Sequence, residues 1–267
     1  MDLYIMKLVG SAITEKDSNR LEAKTDVIAR IASEIKRAKS ERKFGLIVVH
    51  GAGPFGHKLV SEYDCNNGIR TARHVEGFVR THNSMLKLNE IVVDAFLDAG
   101  LLPFPIQPSA CIVQRNKKIV KFDVGIIKRI MKVSNEIIPI MHGDMVADEK
   151  FGASVVSGDA IVPYLARKLK VRKVLLGSDV DGIFTADPKT NRDAKLIPEI
   201  NKGNFNAVLG MVGGAKSVDV TGGMRGKINA LRKDLGGRKV VIFNALTPEN
   251  TYNALVGNEI VCTEIRL

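Results

Sequence analysis

The apolar run Phe44-Gly-Leu-Ile-Val-Val49 stops at His50-Gly-Ala-Gly-Pro-Phe-Gly-His57, and this junction constrains the fold more than any other stretch of the chain. The run reads as a buried strand. Glycines at its end let backbone N–H groups close on an anion, because no Cβ stands in the way. His57, closing the loop, adds a side-chain donor for the same anion. The same residues also suit a plain strand-to-helix turn, so the loop takes its meaning from what accompanies it.

Strands and helices alternate along the rest of the chain. Leu3–Leu8 reads as a short strand followed by a turn-like Val9-Gly-Ser11. Asp26–Lys39 carries Val27, Ile28, Ile31, Ala32 and Ile35 on one helical face, and Glu76–Leu97 spaces Phe78, Met85, Leu88, Val92, Ala95 and Phe96 in the same way. Leu102–Pro108 suits an edge strand, while Cys111–Gln114 and Lys118–Phe122 flank Arg115-Asn116-Lys117 as a hairpin. Ile137–Met141, Lys173–Leu176, Lys239–Phe243 and Ile260–Ile265 are expected as further strands, and Gly158–Leu169 and Gly226–Leu235 as helices. This order predicts an α/β fold, a three-layer αβα sandwich with a mainly parallel central sheet. With no linker, low-complexity tract or fixed-period repeat, residues 1–267 are expected as a single domain with two lobes, about 1–165 and about 166–267.

The net charge of +11 would suit nucleic acid, but the lysines and arginines are spread along the chain, Trp is absent and aromatics make up 5%. No nucleic-acid-binding pattern accompanies them, so small polyanions are the expected partners and nucleic acid is not. No run of 18 or more apolar residues suggests a membrane span. The start Met-Asp-Leu-Tyr-Ile-Met-Lys7 reads as a first strand rather than a targeting leader, which points to the cytoplasm. Cys65, Cys111 and Cys262 are too scattered for a disulfide framework or a metal site and are expected to be passive thiols.

Four segments carry the chemistry, each expected where an open α/β sheet places its ligands. They are Lys7-Leu-Val-Gly10-Ser11 with Lys16 beyond it, the loop from His50 to His57, Ser157-Gly158-Asp159, and a split segment. The last joins Ser178-Asp179-Val-Asp181-Gly182 and Thr185-Ala-Asp-Pro-Lys189 to Asp219-Val-Thr-Gly-Gly222-Met-Arg-Gly-Lys227. Together they resemble the amino acid kinase superfamily and, within it, the isopentenyl phosphate kinases, almost from end to end. The glycine loop ending in His57 points to that branch, as do Gln107-Pro-Ser109 and His142-Gly-Asp144.

The resemblance implies an ATP-dependent phosphoryl transfer to isopentenyl phosphate, with Mg²⁺ arriving on the nucleotide and a homodimer as the assembly. Transfer between two anions needs positioning and cations more than covalent chemistry. Lys7, at the end of the first strand, is expected beside the transferred phosphate, Lys227 on the nucleotide side and Lys16 near the acceptor. Asp159 is read as the residue that orients Lys7 and Lys227, because a phosphate monoester with a second pKa of ~6 needs no strong base. An ordinary helix N-cap is its alternative. Gly10, Ser11, Gly53, Ser178, Asp179, Asp181, Gly182 and Gly222 join the lysines around the nucleotide, with the aspartate loop near its base and ribose. Ala52, Gly53, Gly56, His57, Ser157 and Gly158 are assigned to the acceptor phosphate, and no residue to a metal site. Phe78 and Met85 stand as candidates for an apolar slot for the tail, or as plain core. His50 and His142 are expected to be satisfied by backbone, while His74 and His82 receive no role.

Two residues break the pattern. Val9 stands where close relatives carry glycine, and Pro54 removes an N–H donor from the loop. Gly213-Gly-Ala-Lys216-Ser217 imitates a P-loop ending but has Ala215 before the lysine and no strand ahead of it. A same-fold kinase for another acceptor (a nucleoside monophosphate, a phosphonate or a carboxylate) and a non-catalytic phosphometabolite-binding protein are the alternatives.

Overall fold

The computed structural model describes residues 1–15, 21–212, 235 and 237–267. Lys16, Gly222 and Lys227 lie outside the described residues, as do the Gly213–Ser217 imitation and the expected helix over Gly226–Leu235 apart from Leu235.

The chain opens with β1 (Asp2–Leu8), a one-turn α1 (Gly10–Ile13), α2 (Thr25–Glu41), β2 (Phe44–His50), α3 (Pro54–Glu62) and the long α4 (Ala72–Asp98). Next come β3 (Leu102–Pro105), α5 (Pro108–Cys111), β4 (Ile112–Arg115), β5 (Lys118–Phe122), α6 (Gly125–Val133) and β6 (Ile137–His142). β7 (Asp144–Asp148), β8 (Gly152–Val156), α7 (Gly158–Lys168) and β9 (Val171–Ser178) follow. The remainder supplies β10 (Ile183–Phe184), β11 (Leu196–Ile197), β12 (Glu199–Asn201), α8 (Phe205–Val212), β13 (Lys239–Asn244), α9 (Asn250–Val256) and β14 (Cys262–Arg266).

Eight strands form the main sheet in the order β12-β14-β13-β9-β1-β2-β6-β3. Pairing is parallel except between β13 and β14, so the expected mainly parallel α/β sheet is what forms. Alternation along each strand fills two cores. Ile5, Ile47, Val49 and Met141 pack with Ile161 and Leu165 of α7, while Met6, Leu8, Leu46 and Val48 pack with Ile31 and Ile35 of α2 and Leu88 and Val92 of α4. Lys7 follows the parity of Ile5, which aims it at the α7 side of the sheet.

Where the elements differ from expectation, local chemistry explains it. The turn-like Val9–Ser11 is the entry to α1, with Val9 as its N-cap at φ −67°, ψ 148°. That extended conformation suits a β-branched residue, so no glycine is needed there. Pro54 starts α3, a helix that the apolar periodicity did not reveal. At a first helical position the missing N–H belongs to the unpaired set, and Pro is tolerated. The expected hairpin is present as β4 and β5, but it belongs to a second sheet, β5-β4-β7-β8, whose other two strands were not anticipated. Asp148 joins this sheet by accepting from the N–H groups of Asn116, Lys117, Lys150 and Phe151 and from the Ser154 hydroxyl. Burial works to raise its pKa, and these donors outweigh burial and hold the carboxylate well below its usual range. The cysteines are unpaired, and burial pushes the Cys111 thiol up to about 11, as passive thiols require.

Candidate active site

The parallel strands deliver their C-terminal ends to one edge of the sheet. Three backbone bonds stitch that edge together: Gly51 N–H donates to Leu8 O at 2.8 Å, Val9 N–H to Gly177 O at 2.9 Å and Gly143 N–H to His50 O at 3.1 Å. The first loop and the glycine loop therefore meet backbone to backbone. A Cβ on Gly10 would stand 2.2 Å from Gly53 N, and one on Gly51 would stand 2.5 Å from Gly10 N. Gly53 has φ +50°, and a Cβ there would meet Thr14 Oγ1 at 2.0 Å. Thr14 Oγ1 in turn donates to Gly10 O at 2.7 Å, closing the contact. The result is a cradle walled by backbone, of the kind that accepts phosphate oxygens.

Lys7 reaches along the α7 side of this cradle. Its Nζ lies 2.6 Å from Asp159 Oδ1, with the lysine side chain 7% exposed and the aspartate 58% exposed. Gly158, the first residue of α7, sits under the lysine stem, since a Cβ there would lie 3.2 Å from Lys7 Cε. Gly143 closes the far side, its Cβ position 3.8 Å from Gly158 N. A buried lysine thus meets a helix N-terminus on the sheet edge that also carries the glycine cradle, and such a set can neutralise a polyanion.

The candidate nucleotide residues fall into two groups. Ser11 Oγ donates to Asp179 Oδ1 at 2.7 Å, Lys189 pairs with the other carboxylate oxygen, and Ser178 Oγ points to Asp179 at 3.4 Å. This ties the first loop to the end of β9. Asp181 lies further along, accepting from Asn244 Nδ2 at 3.2 Å, and Gly182 packs so tightly against Thr263 that a Cβ would fall 2.3 Å from its hydroxyl. The glycine at 182 is accounted for by that packing. Gly56 behaves likewise, with its Cβ position 2.6 Å from Ala52 Cβ and 3.4 Å from Met85 Sδ. Met85 is buried in the main core, whereas Phe78 is half-buried in a small cluster with Cys65 and Met145. His57 is exposed on the first turn of α3, and Ser157 is the N-cap of α7.

His50 and His142 are buried side by side with their rings stacked at 5.4 Å, and the Nδ1 of each faces the carbonyl of the following glycine. Burial lowers the pKa of both, that of His142 to about 3 with a further push from His50. Below about pH 6.5 the unfolded chain takes up protons at these positions and the folded chain does not. Their contribution to stability is therefore present above that pH and is lost as pH falls. For His142 the loss between pH 6.5 and pH 5 is about 2 kcal/mol. Urea unfolding at pH 7 and pH 5 should show this drop, and His142→Gln should flatten it; identical pH dependence in both proteins would refute the assignment.

Sequence reasoning missed one cluster beside this edge. His82 Nδ1 lies 2.9 Å from Asp144 Oδ1, and Gln107 Nε2 lies 2.9 Å from His82 Nε2. Burial pushes the Asp144 carboxyl up and His82 opposes it. Gln107 and Asp144 stand in the two segments that resemble the isopentenyl phosphate branch, but no local pattern marked His82 as their link.

A model of the amino acid kinase family matches residues 2–244. The chain belongs to that family. It is 37% identical to isopentenyl phosphate kinase of Methanocaldococcus jannaschii over 270 residues, covering 98% of each chain. Identity to the isopentenyl phosphate kinase of Methanothermobacter thermautotrophicus is 38% over 272 residues, again covering 98% of each. A crystal structure of an isopentenyl phosphate kinase superposes with a TM-score of 0.83 at 34% identity, covering 98% of this chain and 99% of the other. Within the amino acid kinases, the chain groups with the isopentenyl phosphate kinases.

Proposed function

We propose that this protein transfers the γ-phosphoryl group of ATP to isopentenyl phosphate, giving isopentenyl diphosphate and ADP. The reading is carried by full-length similarity to isopentenyl phosphate kinases in a chain that presents the Lys7–Asp159 pair beside the glycine cradle. An oxygen of the acceptor monophosphate attacks the γ-phosphorus, a new P–O bond forms, and the bond to the β-phosphate oxygen breaks. At neutral pH the acceptor oxygen is largely deprotonated, its second pKa being ~6, so the protein supplies no base. Lys7 neutralises charge on the transferred group and Asp159 holds the lysine in place. Gly10, Ser11 and Gly53 receive the nucleotide phosphates, and Ser178, Asp179, Asp181 and Gly182 carry its base and ribose. Ala52, Gly53, Gly56, Ser157 and Gly158 hold the acceptor phosphate, with His57 donating to it. Lys16, Gly222 and Lys227 complete this assignment from the sequence resemblance.

Mg²⁺ would enter with ATP and would offset the charge of its phosphates, with no residue of this chain assigned to hold it. A homodimer is part of the proposal: β3 is an edge strand, and Leu102 and Phe104 on it and Leu97 beside it are exposed. Cytoplasmic residence fits three free thiols. The whole chain is read as a single domain, since strands from both lobes share one sheet.

An acceptor panel tests the function. Purified protein with Mg-ATP should form ADP with isopentenyl phosphate and much less with nucleoside monophosphates, fosfomycin or glutamate. His57→Ala should lose about 10²-fold in kcat/KM for isopentenyl phosphate, as expected for removal of a charge-assisted contact. Turnover of another acceptor with His57 dispensable would overturn the reading. ATP binding without ADP formation across the panel would favour a binding protein.

A further inference from the structure

His82 lies one helical turn before Met85, whose Sδ would stand 3.4 Å from a Cβ at Gly56 in the glycine loop. Its ring, 20% exposed, sits against the fully buried carboxylate of Asp144, with Nδ1 at 2.9 and 3.1 Å from the two oxygens. A carboxylate only accepts, so the proton is on Nδ1. Nε2 is then an acceptor, and the Gln107 amide 2.9 Å away donates to it while also donating to Ser109 Oγ at 3.0 Å. One imidazole thereby joins three elements: α4, the entry to α5, and the first residue of β7.

That junction adjoins the proposed site. Asp144 follows Gly143, which bonds to His50 at the end of β2 and approaches the first turn of α7 at Gly158. On α4, His82 continues the stripe of Val75 and Val79 at positions i, i+4 and i+7, and these valines are 49% and 48% exposed. A polar clamp therefore ends an open apolar stripe where α4 meets β7 and the entry to α5.

We infer that His82 is a positioning residue for the acceptor. By holding Gln107 and Asp144 at once, it sets the wall made by Val75, Val79 and α5 at a fixed distance from the glycine loop. The inference rests on the reading that the acceptor is a phosphate monoester with an apolar tail. Its effect falls on acceptor binding rather than on the phosphoryl-transfer step.

Steady-state kinetics of His82→Ala should show the acceptor KM raised tenfold or more, with kcat and the KM for ATP within threefold of wild type. Should His82→Ala fail to fold, His82→Asn carries the same test, since it keeps a donor for Asp144 and drops the bond to Gln107. Histidine ¹⁵N spectra of the wild-type protein should show a proton on His82 Nδ1, the nitrogen that faces Asp144. An unchanged acceptor KM, an equal loss in kcat and both KM values, or the opposite tautomer would overturn the inference. Kinetics are run with whichever acceptor the wild-type protein turns over. A different preferred acceptor then counts against the functional reading, while the KM split and the tautomer still decide the role of His82.

Discussion

Replacing Lys7 with Met is expected to lower kcat by about 10²–10³-fold while leaving the protein folded, the range seen when a preorganised charge-stabilising group is removed. The lysine side chain is 7% exposed and Met fills a similar volume beside Val49 and Gly158. Its partner Asp159 is 58% exposed, so water can solvate the carboxylate left behind and no buried charge is stranded. Stability and activity should therefore separate. Circular dichroism melting should stay close to wild type while ADP formation collapses. A variant with kcat within fivefold of wild type would remove Lys7 from the chemistry.

Gly10→Ala should be strongly damaging although it adds a single methyl group. The added Cβ would stand 2.2 Å from Gly53 N and 2.7 Å from Gly53 Cα, and both obstacles are backbone. No rotamer change relieves that clash, so the first loop and the glycine loop must separate and the cradle opens. Loss of about 2–3 kcal/mol of stability and of more than 100-fold in kcat/KM is expected. Gly210→Ala is the matched control, because a Cβ at Gly210 meets nothing within 4 Å. Equal behaviour of the two variants in melting and ADP-release assays would show that the loops do not depend on close approach.

The contrast between these glycines shows where sequence reading reached its limit. Gly10, Gly53, Gly56 and Gly182 all stand in segments assigned to ligand binding. Each is also required by packing: Gly10 against Gly53, Gly53 against Thr14, Gly56 against Ala52 and Met85, and Gly182 against Thr263, contacts made across the fold. Val9 is the converse case. It breaks the motif, yet its extended backbone at φ −67° accommodates a β-branched side chain without strain.

The sequence by itself determined the α/β architecture, because strands and helices alternate with periods of two and 3.6 that local side chains impose. It also placed Lys7, the loop from His50 to His57 and Ser157–Asp159 at strand ends, since each is a short local pattern of glycine and charge. Only the tertiary structure decided that β7 and β8 join the hairpin in a second sheet, and that Pro54 begins a helix. It alone brought His82, Gln107 and Asp144 onto one ring across 62 residues of chain. Hydrogen bonds of that span depend on how helices cross the sheet, and no local period or spacing encodes the crossing.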